Sequence, residues 1–130
     1  MTSRMAVLSI DAVDPSVIAR FWCEVLGWSI IDVEDADEVI EIGPADGSWP
    51  TIDVPQVPEH KAVKNRLHLD IRADGVSTED ELTRLLGLGA RRVDVGQRPD
   101  VPWVVLADPE GNEFCLLPRT VEQATAVEPT

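Results

Sequence analysis

The residues with the clearest potential for chemistry lie on one alternating stretch near the middle of the chain. His68, Asp70 and Arg72 alternate there with three aliphatic residues. Because successive side chains of a strand point to opposite faces, the pattern predicts a strand with one apolar and one polar face. A histidine beside a carboxylate has the parts for general acid–base catalysis, whereas an ion-paired structural row is the alternative. From these residues alone, the polar face lies against either solvent or a pocket.

A cluster of basic residues leads into this stretch, at Lys61, Lys64 and Arg66. It is either a solvated loop that balances charge or a rim that recognises the carboxylate or phosphate of a ligand. The chain as a whole is acidic, with 24 Asp and Glu against 11 Lys and Arg and a net charge of -13. Nucleic acid and anionic membranes are therefore excluded as expected partners, because most of the surface would repel them.

The length of 130 residues predicts a single domain. The sequence has no apolar run long enough to span a membrane and no signal-peptide pattern at its start, so we expect a cytoplasmic protein. Its two cysteines, Cys23 and Cys115, are too few for a disulfide framework and lack metal-type spacing.

The elements that must position the polar stretch are marked by helix signals and by alternation. The first helix starts at Asp14-Pro15, where the aspartate is placed to cap it, and ends at Gly27. The second starts with a capping box over residues 78–81 and ends at Gly89. Strands are predicted over residues 5–11, 28–33, 39–43, 49–54, 67–72, 91–95, 101–107 and 112–117.

The order of these elements repeats. Leu-Gly at 26–27 recurs at 88–89, and Asp32 has its counterpart in Asp94 at the same offset. Each copy runs strand, helix, strand, strand, strand, and a unit that cannot close its own core implies two copies packed together. We expect a single domain over residues 1–130. Its parts are a first module (about 5–55), a connector (56–65), a second module (about 66–118) and a frayed tail (119–130).

This repeat resembles the vicinal oxygen chelate superfamily, the glyoxalase and bleomycin-resistance fold, and most of all its glyoxalase-like branch. The resemblance covers roughly residues 5–117 and rests on five motifs taken together. They are Asp-Pro (14–15) with Ala-Arg-Phe-Trp (19–22), Leu-Gly-Trp (26–28), Lys-Asn-Arg-Leu-His-Leu-Asp (64–70), Leu-Gly-Ala (88–90) and Asp-Pro-Glu-Gly-Asn-Glu-Phe (108–114). It implies an α+β fold, in which two tandem βαβββ modules form a curved mixed-sheet cup, each with a helix on its outer face and polar strand faces inside.

The resemblance also implies where a metal would lie. Its ligand positions fall on Val7, His68 and Cys115, with Asp53 as the best donor near the fourth. Because valine cannot bind a metal, a decayed site with no cofactor is the preferred interpretation. The alternative is one divalent ion such as zinc, nickel or iron, held by His68, Asp53 and Cys115.

The predicted function is that of a metal-independent small-molecule binding protein, forming a homodimer by analogy with this fold. The alternatives are a divalent-metal-dependent lyase, isomerase or dioxygenase that uses His68, and a domain that pairs with another protein. Tryptophans at strand ends either cover a planar ligand or pack in the core. Candidate ligand contacts are His68, Asp70, Arg72, Trp28, Trp49, Trp103, Glu113 and Cys115, with Ser9 and Asp11 on the related strand; catalytic residues and the ligand stay unknown.

Overall fold

The computed structural model describes residues 2–36 and 38–126, which form two compact units that meet in sequence between His60 and Lys61. Each unit holds one βαβββ module, so the predicted α+β fold with two tandem modules is confirmed. The first comprises β1 (Val7–Ser9), α1 (Pro15–Leu26), β2 (Ser29–Glu34), β3 (Val39–Gly43) and β4 (Thr51–Pro55). The second comprises β5 (Leu69–Ile71), α2 (Thr78–Leu88), β6 (Arg91–Arg92), β7 (Val104–Ala107) and β8 (Glu113–Leu116), followed by α3 (Val121–Ala126).

The two units share one sheet topology. The strand orders are β1-β4-β3-β2 and β5-β8-β7-β6, and in each sheet the first strand of the unit pairs in parallel with the last. The remaining neighbours are antiparallel. The first and last strands of each unit therefore lie side by side in its sheet, a pairing that the order of elements in the sequence does not specify. The arrangement of the two sheets as a cup stays a prediction.

Helix α1 forms where the sequence predicts it and packs against β3 and β4. Its buried face includes Ile18, Phe21 and Trp22. The rings of Phe21 and Trp22 meet edge to face, with 5.2 Å between their centroids. Gly27 ends the helix in the left-handed region at φ 68°, which favours glycine. Asp14 is the N-cap residue of α1, as predicted, but the expected capping hydrogen bond from its carboxylate is a correction. The side chain makes no such bond and instead accepts one from the hydroxyl of Ser16 at 2.8 Å.

The start of α2 also differs from the prediction, by one residue. Ser77 is the N-cap, and its hydroxyl accepts a hydrogen bond from the backbone N–H of Asp80 at 3.1 Å. Thr78, the expected cap, already has helical backbone and donates its hydroxyl to the carbonyl of Pro118. Glu81 pairs with Arg84 within the helix rather than completing a capping box. Serine and threonine are both good caps, so the pattern of residue types could not distinguish the two positions.

The C-terminal tail also differs from the prediction. We expected residues 119–130 to fray, but residues 121–126 form α3, and the N–H of Val121 donates to the carbonyl of Ala73 at 2.8 Å. Glu122 accepts from the N–H of Gly75, and Thr120 is buried. These contacts order the segment, although its polar sequence gives no local signal of a stable helix. Residues 127–130 lie outside the described part of the chain, as does Asp37 in the acidic segment between the predicted strands 28–33 and 39–43.

Strand β5 is shorter than predicted and has a less regular apolar face. Leu69 and Ile71 are partly buried, whereas Leu67 precedes the strand and is 81% exposed. In β8 the alternation is sharp, because Phe114 and Leu116 are fully buried while Glu113 and Cys115 share the other face. Within the described residues, no helix has the length and apolar character to cross a bilayer.

Candidate functional site

The polar face of the second sheet lines a cavity of about 500 Å³ within the second unit. Five of the ten candidate contact residues lie on its wall, and they come from β5, β7, β8 and the segments next to them. These five are His68, Asp70, Trp103, Glu113 and Cys115; the remaining wall consists of Lys64, Val95, Gly96, Gln97, Val105 and Leu117. Two members of the predicted polar row, His68 and Asp70, therefore lie against a pocket, whereas the third, Arg72, does not line it.

Three of these residues form a tight polar cluster. The parallel pairing of β5 with β8 sets Asp70 directly opposite Cys115, and His68 lies two residues before Asp70 on the same face. The Nδ1 atom of His68 is 3.0 Å from Oδ1 of Asp70. One potential ligand atom from each of the three side chains lies within 4.8 Å of the other two. The His68 and Asp70 side chains are 38% and 46% exposed, whereas Cys115 is buried.

Cys115 is a neutral thiol in this environment. Burial, the charge of Asp70 and a hydrogen bond to that carboxylate raise the pKa of Cys115 to about 11, against a smaller opposing effect of Lys64. A thiolate is costly here because it would be partly buried beside a carboxylate. The thiol instead keeps its proton and donates a hydrogen bond to the carboxylate of Asp70. A cysteine in this state is a poor nucleophile near neutral pH.

The contact with Asp70 also orients the histidine. A carboxylate can only accept, so the Nδ1 atom of His68 carries the proton that the two groups share. In the neutral ring this leaves Nε2 as an acceptor. Asp70 therefore receives hydrogen bonds from both His68 and Cys115, and the cluster offers one imidazole nitrogen to a ligand.

Glu113 anchors the segment that precedes β5. Its carboxylate accepts from the ammonium group of Lys61 at 2.7 Å and from the backbone N–H of Asn65 at 3.0 Å. Burial by itself would raise the pKa of Glu113, but these hydrogen bonds and the charge of Lys61 lower it below its ordinary value. The Asn65 side chain adds a bond to Asn112 at 2.9 Å. Glu113 thus holds the segment in place while lining the cavity.

This anchoring separates the roles of the basic cluster. Lys61 is committed to Glu113, and Arg66 is exposed. Lys64 lines the cavity, and its ammonium group makes a 3.3 Å contact with the carbonyl of Asn65. Of the two interpretations of the basic cluster, the anion-recognising rim is therefore reduced to Lys64 at the cavity wall.

The other candidate residues lie elsewhere. Arg72 donates to the carbonyl of Arg119 at 3.0 Å and ties β5 to the segment before α3. Trp28 and Trp49 belong to the first unit. The N–H of Trp28 donates to the carbonyl of Cys23, and the ring of Trp49 lies 3.9 Å from the guanidinium carbon of Arg4. None of these three residues lines the second-unit cavity.

Asp53 belongs to an acidic row on the first sheet. The strand register aligns it with Ser9 on β1, Glu41 on β3 and, through Glu41, Asp32 on β2. Burial and the charges of Glu41 and Asp32 raise the pKa of Asp53. The charge of Asp32, followed by burial and Asp35, likewise raises the pKa of Glu34. The row depends on the register between four strands, including a bulge in β2 between Ile30 and Asp32, so alternation within one strand indicates Asp53 but not its neighbours.

Other cavity residues were also missed. Val95 and Gln97 follow the two-residue strand β6, where Gln97 accepts a hydrogen bond from the N–H of Val95 at 2.9 Å. Val105 faces Cys115 across the β7–β8 pair. The alternation of Trp103 with Val105 was the available signal, since both lie on one face of the predicted strand.

The donor set allows a direct test of which metal fits. The cluster offers one imidazole, one carboxylate and one sulfur. Manganese and magnesium prefer oxygen-rich shells, whereas zinc accepts nitrogen, oxygen and sulfur in a tetrahedral arrangement. The position assigned to Val7 has no donor atom, and Asp53 lies in the acidic row. The residues thus suit a thiophilic ion and do not suit a hard one.

The sequence matches the family model described as a glyoxalase-like domain over residues 7–117. Comparison with curated proteins by sequence yields no match. Among solved structures, the fosfomycin resistance protein FosX from Mesorhizobium loti is 16% identical with a TM-score of 0.68, and the match covers 97% of this chain and 99% of that one.

Two further solved structures show the same fold. A mutant of FosX from Listeria monocytogenes, complexed with Mn(II) and a dihydroxypropylphosphonic acid, is 15% identical with a TM-score of 0.66 over 95% of this chain and 94% of that one. A glyoxalase/bleomycin resistance protein/dioxygenase family enzyme from Burkholderia phytofirmans is 16% identical with a TM-score of 0.61, over 88% and 97%. At these identities the likeness concerns the fold alone.

Proposed function

The chain belongs to the glyoxalase-like domain family, and from this premise we propose that it is a small-molecule binding protein that takes its ligand in the second-unit cavity. In this proposal the side chains contact the ligand directly, and no resident metal is required. Fold membership by itself does not specify chemistry, so the proposal depends on the cavity.

The observation that carries the proposal is the composition of the cavity wall. A volume of about 500 Å³ lies in the range of roughly 300–1,000 Å³ that holds drug-sized ligands. Val95, Val105 and Leu117 provide apolar surface, and Trp103 provides a flat aromatic one. A few polar groups converge on this surface, which is the usual composition of a specific small-molecule site.

The polar groups suggest the class of ligand. Lys64 favours a carboxylate or a phosphate-type group, because Lys61 already neutralises Glu113. The Nε2 atom of His68 accepts a hydrogen bond from a hydroxyl or amide donor. Trp103 favours a planar apolar part. We therefore expect a ligand that combines an aromatic or other flat portion with one anionic group.

The state of Cys115 and Glu113 favours binding over catalysis by a cysteine nucleophile or by a Glu113 acid or base. The Cys115 thiol is held neutral, with a pKa of about 11, and Glu113 is held in an ion pair. Neither is prepared to attack a substrate or to transfer a proton. The metal-dependent alternative with His68, Asp53 and Cys115 gains no support within the second unit, where Asp70 is the carboxylate beside Cys115. The homodimer stays a prediction, which light scattering would measure.

Titration calorimetry with a panel of aromatic carboxylates and phosphonates, each paired with its neutral amide or ester, tests the proposal. We expect Trp103→Ala to weaken binding about tenfold or more, and Lys64→Gln to weaken the anionic members more than the neutral ones. Trp49→Ala and Arg66→Gln are the matched controls, because both residues are exposed and lie outside the cavity wall.

Two results would contradict the proposal. One is that no member of the panel binds the metal-free protein. The other is that Trp49→Ala weakens binding as much as Trp103→Ala does, which would place the ligand outside the second-unit cavity.

A further inference from the structure

We propose that His68, Asp70 and Cys115 together form a binding site for a thiophilic divalent cation of the zinc class. This inference goes beyond the proposed function, since the ligand described above is recognised without a metal. It concerns a set of three donors that all belong to the second unit. The set differs from the one that the family resemblance implies, because Asp70 takes part and Val7 and Asp53 do not.

The backbone holds the three residues in position. Asp70 and Cys115 are Cα partners in the parallel β5–β8 pair, and the N–H of Leu117 donates to the carbonyl of Ile71 at 2.8 Å just beyond them. His68 joins them from the same face of the chain. Two of the three donor residues therefore lie on paired strands. Their backbone is already ordered, so metal binding costs less conformational entropy.

The distances are compatible with one shared ion. The three potential ligand atoms lie within 4.8 Å of one another. Zinc bonds of about 2.0–2.3 Å imply separations of roughly 3.3–3.7 Å between the ligands of a tetrahedron. The separations exceed this range by at most about 1 Å. Rotation of the exposed His68 and Asp70 side chains toward Cys115 would close this difference. Cys115 is the buried member, so the ion would sit at the floor of the cavity.

The charges of the donors also match a divalent ion. Asp70 contributes a carboxylate, and Cys115 becomes a thiolate when its sulfur binds the cation, so the two negative charges balance the ion. The thiol proton leaves to solvent as the metal–sulfur bond forms, and His68 binds as neutral imidazole. Sulfur selects zinc, cadmium or cobalt over manganese and magnesium. A fourth coordination position would face the cavity and remain open to water.

Cobalt(II) provides the test, because a cobalt–thiolate bond gives a near-ultraviolet charge-transfer absorption that oxygen and nitrogen ligands do not give. We expect the chelator-treated, reduced protein to bind one cobalt per chain with this absorption, and zinc to displace it. Manganese(II), followed by electron paramagnetic resonance, should not bind. Cys115→Ser should abolish the absorption, while Cys23→Ser, which removes the other cysteine, should leave it unchanged.

Two further variants test the remaining donors. His68→Ala and Asp70→Asn should each weaken zinc at least about tenfold, measured by competition with a chromophoric chelator. Both side chains are well exposed, so these variants remain informative if Cys115→Ser does not fold. The inference is overturned if the wild type shows no charge-transfer absorption. It is equally overturned if the absorption depends on Cys23, or if zinc affinity is the same in His68→Ala and Asp70→Asn as in the wild type. None of these outcomes bears on ligand binding by the metal-free protein.

Discussion

Asp70 and Cys115 face each other across the parallel strands β5 and β8, and the thiol of Cys115 donates a hydrogen bond to the carboxylate of Asp70. The same carboxylate receives the Nδ1 proton of His68 at 3.0 Å. One aspartate thereby sets the protonation of a cysteine and the tautomer of a histidine. This relationship makes Asp70 the residue whose replacement should change the cavity most at the least structural cost.

The reactivity of Cys115 should depend on Asp70. With a pKa of about 11, the thiol should react slowly with iodoacetamide at pH 8 and reach half of its full rate only near pH 11. Asp70→Asn removes the negative charge, lowers the pKa of Cys115 and should increase the rate at pH 9 severalfold. Peptide mass spectrometry measures the labelling, and Cys23 in the first unit serves as the internal control. An unchanged rate would show that Asp70 does not control the thiol.

Glu113 should stabilise the protein in a pH-dependent way. Because its folded pKa is lowered, its contribution is fully present above its ordinary value of 4.5 and is lost as the pH falls through the folded value. Glu113→Gln should reduce the free energy of unfolding at pH 7 by roughly 1–3 kcal/mol, since Lys61 loses a charged partner. Urea denaturation at several pH values should show the difference shrinking in acid. Glu59→Gln, in an exposed loop, should have no comparable effect.

Ionisation of Asp53 should affect stability in the opposite direction to ionisation of Glu113. Its folded pKa is raised, so its ionised form is penalised in the folded state above that pKa, and the penalty vanishes below its unfolded pKa. Asp53→Asn should therefore stabilise the protein at pH 7, by roughly 0.2–1 kcal/mol for like charges on neighbouring strands. The gain should disappear in acid.

Asp46→Asn is the matched control for Asp53. Hydrogen bonds from Ser48 lower the pKa of Asp46, so the loss of its charge should stabilise nothing at pH 7. A destabilising Asp53→Asn, or equal gains in both variants, would contradict the assignment of repulsion to the acidic row. Thermal unfolding at pH 7 and in acid measures both variants.

The N-cap of α2 should make a measurable contribution to the stability of the protein. Ser77→Ala removes the acceptor of the Asp80 N–H and should cost about 1 kcal/mol of stability. Ser16→Ala, which alters no capping bond at the start of α1, is the control. Thermal unfolding of the two variants separates them, and equal stability in both would show that Ser77 contributes no cap.

Local patterns predicted the elements well because they depend on neighbouring residues. Gly27 and Gly89 end their helices in the left-handed region, as the Leu-Gly repeat indicates. The alternation around His68 indicated which side chains share a face, though not what that face would meet. The pairing of Asp70 with Cys115 could not be read locally, because it depends on the register of strands far apart in sequence.

Long-range contacts account for the remaining differences. Within the second unit, Asp70 lies opposite Cys115 in the sheet, and this carboxylate was not among the metal ligands that the family resemblance implied. The different roles of Lys61 and Lys64 likewise depend on a distant residue, because the ion pair with Glu113 engages Lys61 and not Lys64. The order of α3 likewise depends on contacts with residues 73–75, for which a polar tail gives no local signal.

The parallel pairing of β5 and β8 joins the first and last strands of the second module. Asp70 and Cys115 are therefore 45 residues apart in sequence (115 − 70) yet adjacent in the sheet. Contacts of such separation carry a high loop-closure cost and form slowly. A growing chain acquires the polar cluster only after β8 has been synthesised and paired. Its chemistry is thus absent from every partly folded form in which the module is still open.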